Sequence, residues 1–278
     1  MKLASSRSIL PLFAAAAFAA ALTAAPQRAA ADTVLITGAN SGIGLEFTKE
    51  YAAQGWTVIA THRRSSTPES LAEVVAKYPN VRVERLDVTD IPGTKALAEK
   101  LKDVPIDVLL NNAGVYNDRR GCHDESCPGN WSTQTFGKLD YTLFDTIMAV
   151  NVKGPLIVSE AFLPNVRASK QKKIVCISST NGSLTDQLPG AGALFYRASK
   201  AALNREMQLV ARQEQPEGVT VLLLHPGAVV TERQSYLEGA KGMVEMPFTV
   251  KHMIATIDKV TIADTGKFLV YDGTTAPW

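Results

Sequence analysis

Tyr196 and Lys200 stand four residues apart in the run Tyr196-Arg197-Ala198-Ser199-Lys200. On a helix that spacing places the two side chains on one face, a single turn apart. A free phenol ionises near pH ~10 and moves protons poorly at neutral pH. An ammonium one turn away favours the phenolate and would draw the phenol toward the working range of a general acid or base. Alone, the pair equally describes a packed ring beside a solvated amine. Four groups precede it, however: Thr37-Gly38-Ala39-Asn40-Ser41-Gly42-Ile43-Gly44, Asn111-Asn112-Ala113-Gly114, a lone Asn151 and Ile177-Ser178-Ser179. Such an ordered set does not assemble by chance.

The glycines say what the site would hold. Gly38, Gly42 and Gly44 lie between an apolar run at 33–37 and a helical pattern beginning at 43. In that context glycine permits a tight turn and a close approach of backbone N–H groups to a pyrophosphate at a helix N-terminus. The run Thr61-His62-Arg63-Arg64, at the end of the next strand, has no carboxylate. An acid there would bond the adenosine ribose hydroxyls and repel a 2′-phosphate, whereas a guanidinium suits that phosphate. NADP is therefore expected over NAD, with Arg63 as the phosphate contact.

This ordered set resembles the short-chain dehydrogenase/reductase family, from Asp32 to Trp278. The TGxxxGxG spacing matches its single-domain reductases and not the extended sugar epimerases, which space the glycines TGxxGxxG. Leu224-His225-Pro226-Gly227 and the ending Tyr271-Asp272-Gly273-Thr274-Thr275-Ala276-Pro277-Trp278 resemble a narrower branch, that of sniffer-type carbonyl reductases and bacterial C-factor-like proteins. The resemblance implies hydride transfer between NADP(H) and a carbonyl or alcohol substrate. The competing reading is a C-factor-type signalling protein that keeps the nucleotide site with little or no turnover. It also implies a homo-oligomer, dimer or tetramer.

By the same resemblance, Tyr196 would pass the proton, Lys200 would lower its pKa and bond the nicotinamide ribose, and Ser179 would hold the substrate oxygen. Asn151 would support a water relay to Lys200. Many relatives carry the serine thirteen residues before the tyrosine, which here points to Ser183; the place at the strand end points to Ser179. Ser179 is preferred, since the carbonyl-reductase branch has a longer loop. Asn40, Ser41 and Ile43 would join the glycines at the cofactor. Asp87 and Val88 would flank the adenine, with the Asp87 carboxylate accepting from its amino group. Asn111, Ala113 and Gly114 would line the adenosine ribose, and Pro226, Gly227, Val229 and Thr231 would contact the nicotinamide.

Positioning these groups takes alternating elements. Strand patterns run over 33–37, 57–61, 81–86, 106–110, 173–178, 219–224 and 267–271. Helical patterns run over 43–54, 71–78, 94–101, 144–166 and 195–213. Alternation of this kind predicts a doubly wound α/β Rossmann fold with a seven-stranded parallel sheet and ligands at the carboxyl ends of the strands. Substrate choice falls to segments 116–139 and 232–248, where Trp131, Phe136, Met243, Met246 and Phe248 could form an apolar pocket.

The chain has 278 residues, 46% of them hydrophobic and 20% charged, with a net charge of +2. These values describe one ordinary globular domain over 32–278, with no bias toward nucleic acid or anionic membranes. Residues 1–31 read as a signal peptide: Lys2 and Arg7, an alanine-rich apolar stretch at 9–25, then Ala29-Ala30-Ala31. The stretch is short and broken by Pro11, so no stable membrane span is expected. Export would place the protein in the periplasm or outside the cell; translation from a later start such as Leu22 would leave it cytoplasmic. Dinucleotides are scarce outside the cytoplasm, and the leader lacks the Arg-Arg pair of folded export. Cys122 and Cys127 in a polar loop would form a disulfide if exported. A metal site at His123 lacks a fourth ligand, and no metal is expected. Cys176 reads as a small core residue.

Overall fold

A computed structural model describes residues 31–116, 134–185, 192–229 and 242–278. Leader residues 1–30, Cys122, His123, Cys127, Trp131 and Thr231 lie outside the described residues.

Seven strands are present: β1 (Thr33–Ile36), β2 (Thr57–His62), β3 (Val81–Arg85), β4 (Val108–Asn111), β5 (Lys173–Ile177), β6 (Thr220–His225) and β7 (Phe268–Val270). Each expected strand is there, with its ends moved by two residues or fewer. All neighbours pair in parallel, in the order β3-β2-β1-β4-β5-β6-β7. Both faces of the inner strands are covered, which is why they read as nearly unbroken apolar runs, whereas the edge strand β3 alternates apolar and charged residues. Along β1, Val34 and Ile36 enter one core and Leu35 the other.

The first core lies under α1 (Gly42–Ala53), α2 (Glu69–Lys77) and α7 (Met246–Lys259), through Phe47, Tyr51, Leu71, Met253 and Ile257. The second lies under α3 (Ile91–Lys100), α5 (Gly154–Arg167) and α6 (Leu194–Glu214), through Leu97, Phe162, Val166, Leu203 and Met207. Each such side chain contributes about 1.5–3 kcal/mol on burial, so the two layers hold the sheet rigidly. The strand order turns between β1 and β4, and an open α/β sheet binds its ligands outside the carboxyl ends at that point.

Two elements differ from expectation. The helix expected over 144–166 is α4 (Tyr141–Met148), a π-helical turn at Ala149–Lys153, and α5. Pro155 has no N–H to return to the Asn151 carbonyl, and the Gly154 N–H reaches back five residues to Ala149 instead. The wide turn carries Asn151. Helix α7 has no counterpart among the expected helical patterns, and only its start falls in the substrate segment 232–248. Thr249, Val250, Met253, Ile254 and Ile257 do recur with helical period and are buried. A parallel crossover from β6 to β7 also requires such an element. Among the described residues, the stretch Tyr141–Arg167 is long and apolar enough to cross a membrane, but half of its most apolar window is buried inside the domain. It is a core helix of the fold.

Candidate active site

Past β1 the chain turns back on itself, with Gly38 at φ 66° and Gly42 at φ 54°, both in the left-handed region that favours glycine. In the first turn of α1, a Cβ on Gly44 would overlap the Gly38 carbonyl oxygen and the Asn112 side-chain nitrogen. Strand β4 locks this turn in place. The amides of Asn112 and Ala113 donate to Thr37 Oγ1 at 3.0 and 2.9 Å, and Asn112 Nδ2 donates to the carbonyls of Thr37 and Gly38 at 2.9 and 3.2 Å. Ser41 precedes α1 without a side-chain cap, so the first helical amides face outward with their dipole.

Above the turn is a cavity of about 500 Å³. Gly38, Asn40, Ser41, Ile43 and Gly44 line one end, Arg63 and Arg64 a wall, and Asp87, Val88, Ala113 and Gly114 the far side. Leu86, Thr89, Asn112, Val115, Thr146, Ala149 and Val150 complete it. A glycine cradle, an uncapped helix N-terminus and a guanidinium wall are what a phosphorylated dinucleotide requires.

His62, next to Arg63, is buried, and burial, then Arg64 and Arg85, hold its pKa below the ordinary value. One expectation is corrected here. Asn111 does not present its side chain to the cavity. Its Nδ2 donates to Ser159 Oγ at 2.9 Å and to Cys176 Sγ at 3.6 Å inside the core, while Asn112 lines the cavity instead. The Asp87 carboxylate accepts from Thr89, from N at 3.0 Å and Oγ1 at 2.7 Å, which fixes its rotamer at the rim before any adenine arrives.

The proton-handling groups meet where β5 ends against α6. Ser179 and the Tyr196 phenol face each other. Burial pushes that phenol up to about 12, and the Ser179 hydroxyl pulls it the other way. Lys200 Nζ stands 5.7 Å from the Tyr196 ring centroid and donates to the Ile177 carbonyl at 2.9 Å. Burial brings Lys200 down to about 8. The expected lowering of the phenol by Lys200 is therefore absent from this arrangement. The ammonium is turned to the strand end, and removal from water outweighs its field at the oxygen. Ser183 is half-buried and donates to the Trp278 carbonyl at 2.8 Å, whereas Ser179 is buried.

Asn151 holds backbone. Its Oδ1 accepts from Val115 N and its Nδ2 donates to Val115 O, both at 2.8 Å, and Nδ2 also donates to Ser199 Oγ at 3.0 Å. Ser199 Oγ in turn donates to the Tyr196 carbonyl at 2.7 Å. A Cβ on Gly114 would stand 3.5 Å from Asn151 Oδ1 and 3.9 Å from Lys200 Nζ, so this glycine leaves the approach to the lysine open.

On the far side, Gly227 (φ 81°) sits against the Tyr271 ring, and the Pro226 carbonyl accepts from Thr249 Oγ1. Val229 is buried and bridges to Val244. The residues expected to form an apolar pocket have separate settings: Met246 packs on the core, Phe248 stacks on His252 at 4.0 Å, and Phe136 is exposed.

Sequence reasoning missed Gly182, whose lack of a Cβ lets the turn after Ser179 rest on the Lys200 and Ala201 backbone. It also missed Gln134 and Tyr116, which touch Tyr196 from 62 residues away and across a ring contact of 4.5 Å. No local pattern marks either one.

Comparison with known proteins agrees with this geometry. The short chain dehydrogenase family model matches residues 32–241. The C-signal protein of Myxococcus xanthus is 34% identical over 184 residues, which cover 66% of this chain and 99% of that one. The NADPH-bound carbonyl reductase from chicken fatty liver superposes with a TM-score of 0.77 at 31% identity, over 89% of this chain and 99% of that chain. The carbonyl reductase Sniffer of D. melanogaster, 23% identical over 89% of this chain and all of its own, shares the fold with a TM-score of 0.74.

Proposed function

Since the chain belongs to the short-chain dehydrogenase/reductase family, we propose that it is an NADP(H)-dependent oxidoreductase that reduces a carbonyl compound or oxidises the matching alcohol. The observation that carries the reading is the placement of Ser179 beside the Tyr196 phenol, with Lys200 one turn along α6 and its Nζ next to Gly114, which lines the glycine-rich cavity. The cofactor fits the residues present: the turn at Gly38–Gly44 would take its pyrophosphate and Arg63 its 2′-phosphate. When bound, NADPH supplies the hydride.

The chain's own residues manage the oxygen and its proton. Ser179 Oγ would orient the substrate carbonyl oxygen toward the phenol. Tyr196, with its pKa raised to about 12, holds its proton at neutral pH, as a donor to that oxygen must. Lys200, brought down to about 8, is still largely an ammonium at neutral pH, and would reach the nicotinamide ribose once drawn from the Ile177 carbonyl. In that position its charge would favour the phenolate left after proton transfer. Asn151 would keep the Val115 backbone and the Tyr196 turn in register.

Tyr196→Phe tests this. NADPH oxidation is followed against a panel of aldehydes, ketones and quinones, and NADPH binding by fluorescence. The variant is expected to bind NADPH as the parent does and to lose about 10²–10⁴-fold in turnover. Turnover near that of the parent would overturn the reading. The likeness to C-signal favours a second reading, a nucleotide-binding signalling protein; this predicts NADPH binding with no turnover of any panel member by the parent itself. We also infer that residues 1–31 direct export. The support is their order of basic, apolar and small residues.

A further inference from the structure

Gln134 is fully buried and lies against the helix start that carries Tyr196. Both ends of its amide are used. Oε1 accepts from the Tyr196 backbone N–H at 3.0 Å, and Nε2 donates to the Tyr116 carbonyl at 2.8 Å. Tyr116 in turn lays its ring 4.5 Å from the Tyr196 ring, tilted by 55°. Helix α6 has no side-chain cap of its own: Ala193 occupies the cap position in the left-handed region, with φ 58°. The first-turn amides of a helix need acceptors from elsewhere, and Gln134 provides one at the very residue whose phenol meets Ser179.

We propose that Gln134 is a positioning residue for Tyr196. It caps α6 from a distant part of the chain, holds the Tyr116 ring against the phenol, and so sets the height and tilt of the proton donor. The role rests on Tyr196 being that donor, so it is tested by two readouts, one of which needs no substrate.

The first readout is the carbon-13 signal of ring-labelled tyrosine, with Tyr196 assigned from Tyr196→Phe and Tyr51, in the core beyond the sheet, as internal reference. In Gln134→Leu, the Tyr196 signal is expected to move or broaden while that of Tyr51 stays. The second is steady-state kinetics with the panel compound turned over fastest. Gln134→Leu should lose about tenfold to a hundredfold in kcat, as misplacement by an ångström does, with KM for NADPH within about twofold of the parent. In the Tyr196→Phe background the same substitution should cost nothing further, because the group it positions is gone. Should leucine prevent folding, Gln134→Met is read in the same way.

An unmoved Tyr196 signal in Gln134→Leu, or an equal loss of kcat with and without the phenol, would overturn the proposal. If no panel compound is turned over, the proposed reaction fails, and the tyrosine signal still decides whether Gln134 positions the ring.

Discussion

Lys200 carries the pH dependence of this site. Burial lowers its pKa from the ordinary lysine value to about 8, so in the free protein the ammonium is complete well below pH 8 and is lost as the pH rises through it. A ligand that prefers the ammonium must restore that proton to bind at higher pH. The NADPH dissociation constant is therefore expected to be flat at neutral pH and to rise by up to about tenfold per pH unit above about 8. Fluorescence titration from about pH 6.5 to about pH 9.5 measures it, and Lys200→Met should remove the rise. A pH-independent constant in the parent would mean that bound NADPH makes no use of the charge. The lysine and its tyrosine were legible in the sequence from their spacing. The direction of the phenol shift was not, because it depends on how much water the fold removes, and burial here exceeds what an amine bonded to the Ile177 carbonyl returns.

At the scale of elements, the glycine turn and β4 act as one unit. Gly44→Ala places a methyl into the Gly38 carbonyl and the Asn112 amide, neither of which can yield without breaking the bonds to Thr37 and Gly38. Overpacking of this kind costs about 1–3 kcal/mol. The variant should show that loss in denaturant unfolding and weaker NADPH binding as well. Gly55→Ala is the matched control. Gly55 (φ 85°) faces open space, so the change strains the backbone by about 1–2 kcal/mol and should leave NADPH binding alone. Equal effects of both changes on NADPH binding would show that the turn has no special part in it. The inner strands were legible because strands covered on both faces are apolar throughout, and the edge strand β3 because it alternates. Helix α7 was overlooked because Pro247 and Phe248 at its start resemble a loop, while its buried stripe begins only at Thr249. The π-helical turn at Asn151 follows from Pro155, a residue the helical period alone does not weigh.

For the whole molecule, the open question is where it works. Export predicts a mature chain beginning near Asp32 with Cys122 and Cys127 oxidised to each other, and intact-mass analysis of natively expressed protein, with and without reductant and alkylation, reads both. Cys176 is a buried free thiol and should be alkylated only after unfolding, so it is the internal standard. A full-length mass with three alkylatable thiols would overturn export.

The sequence by itself determined the family, the sheet and the place of the chemistry. Glycines at a strand end, an acid-free strand after them and a tyrosine–lysine spacing are local patterns, each readable within a few residues. Tertiary structure alone decided that Asn111 turns inward while Asn112 braces the turn, and that Gln134 holds Tyr196 from 62 residues away. Those are contacts between segments far apart in the chain. Packing of the two layers brings them together, and no local pattern records it.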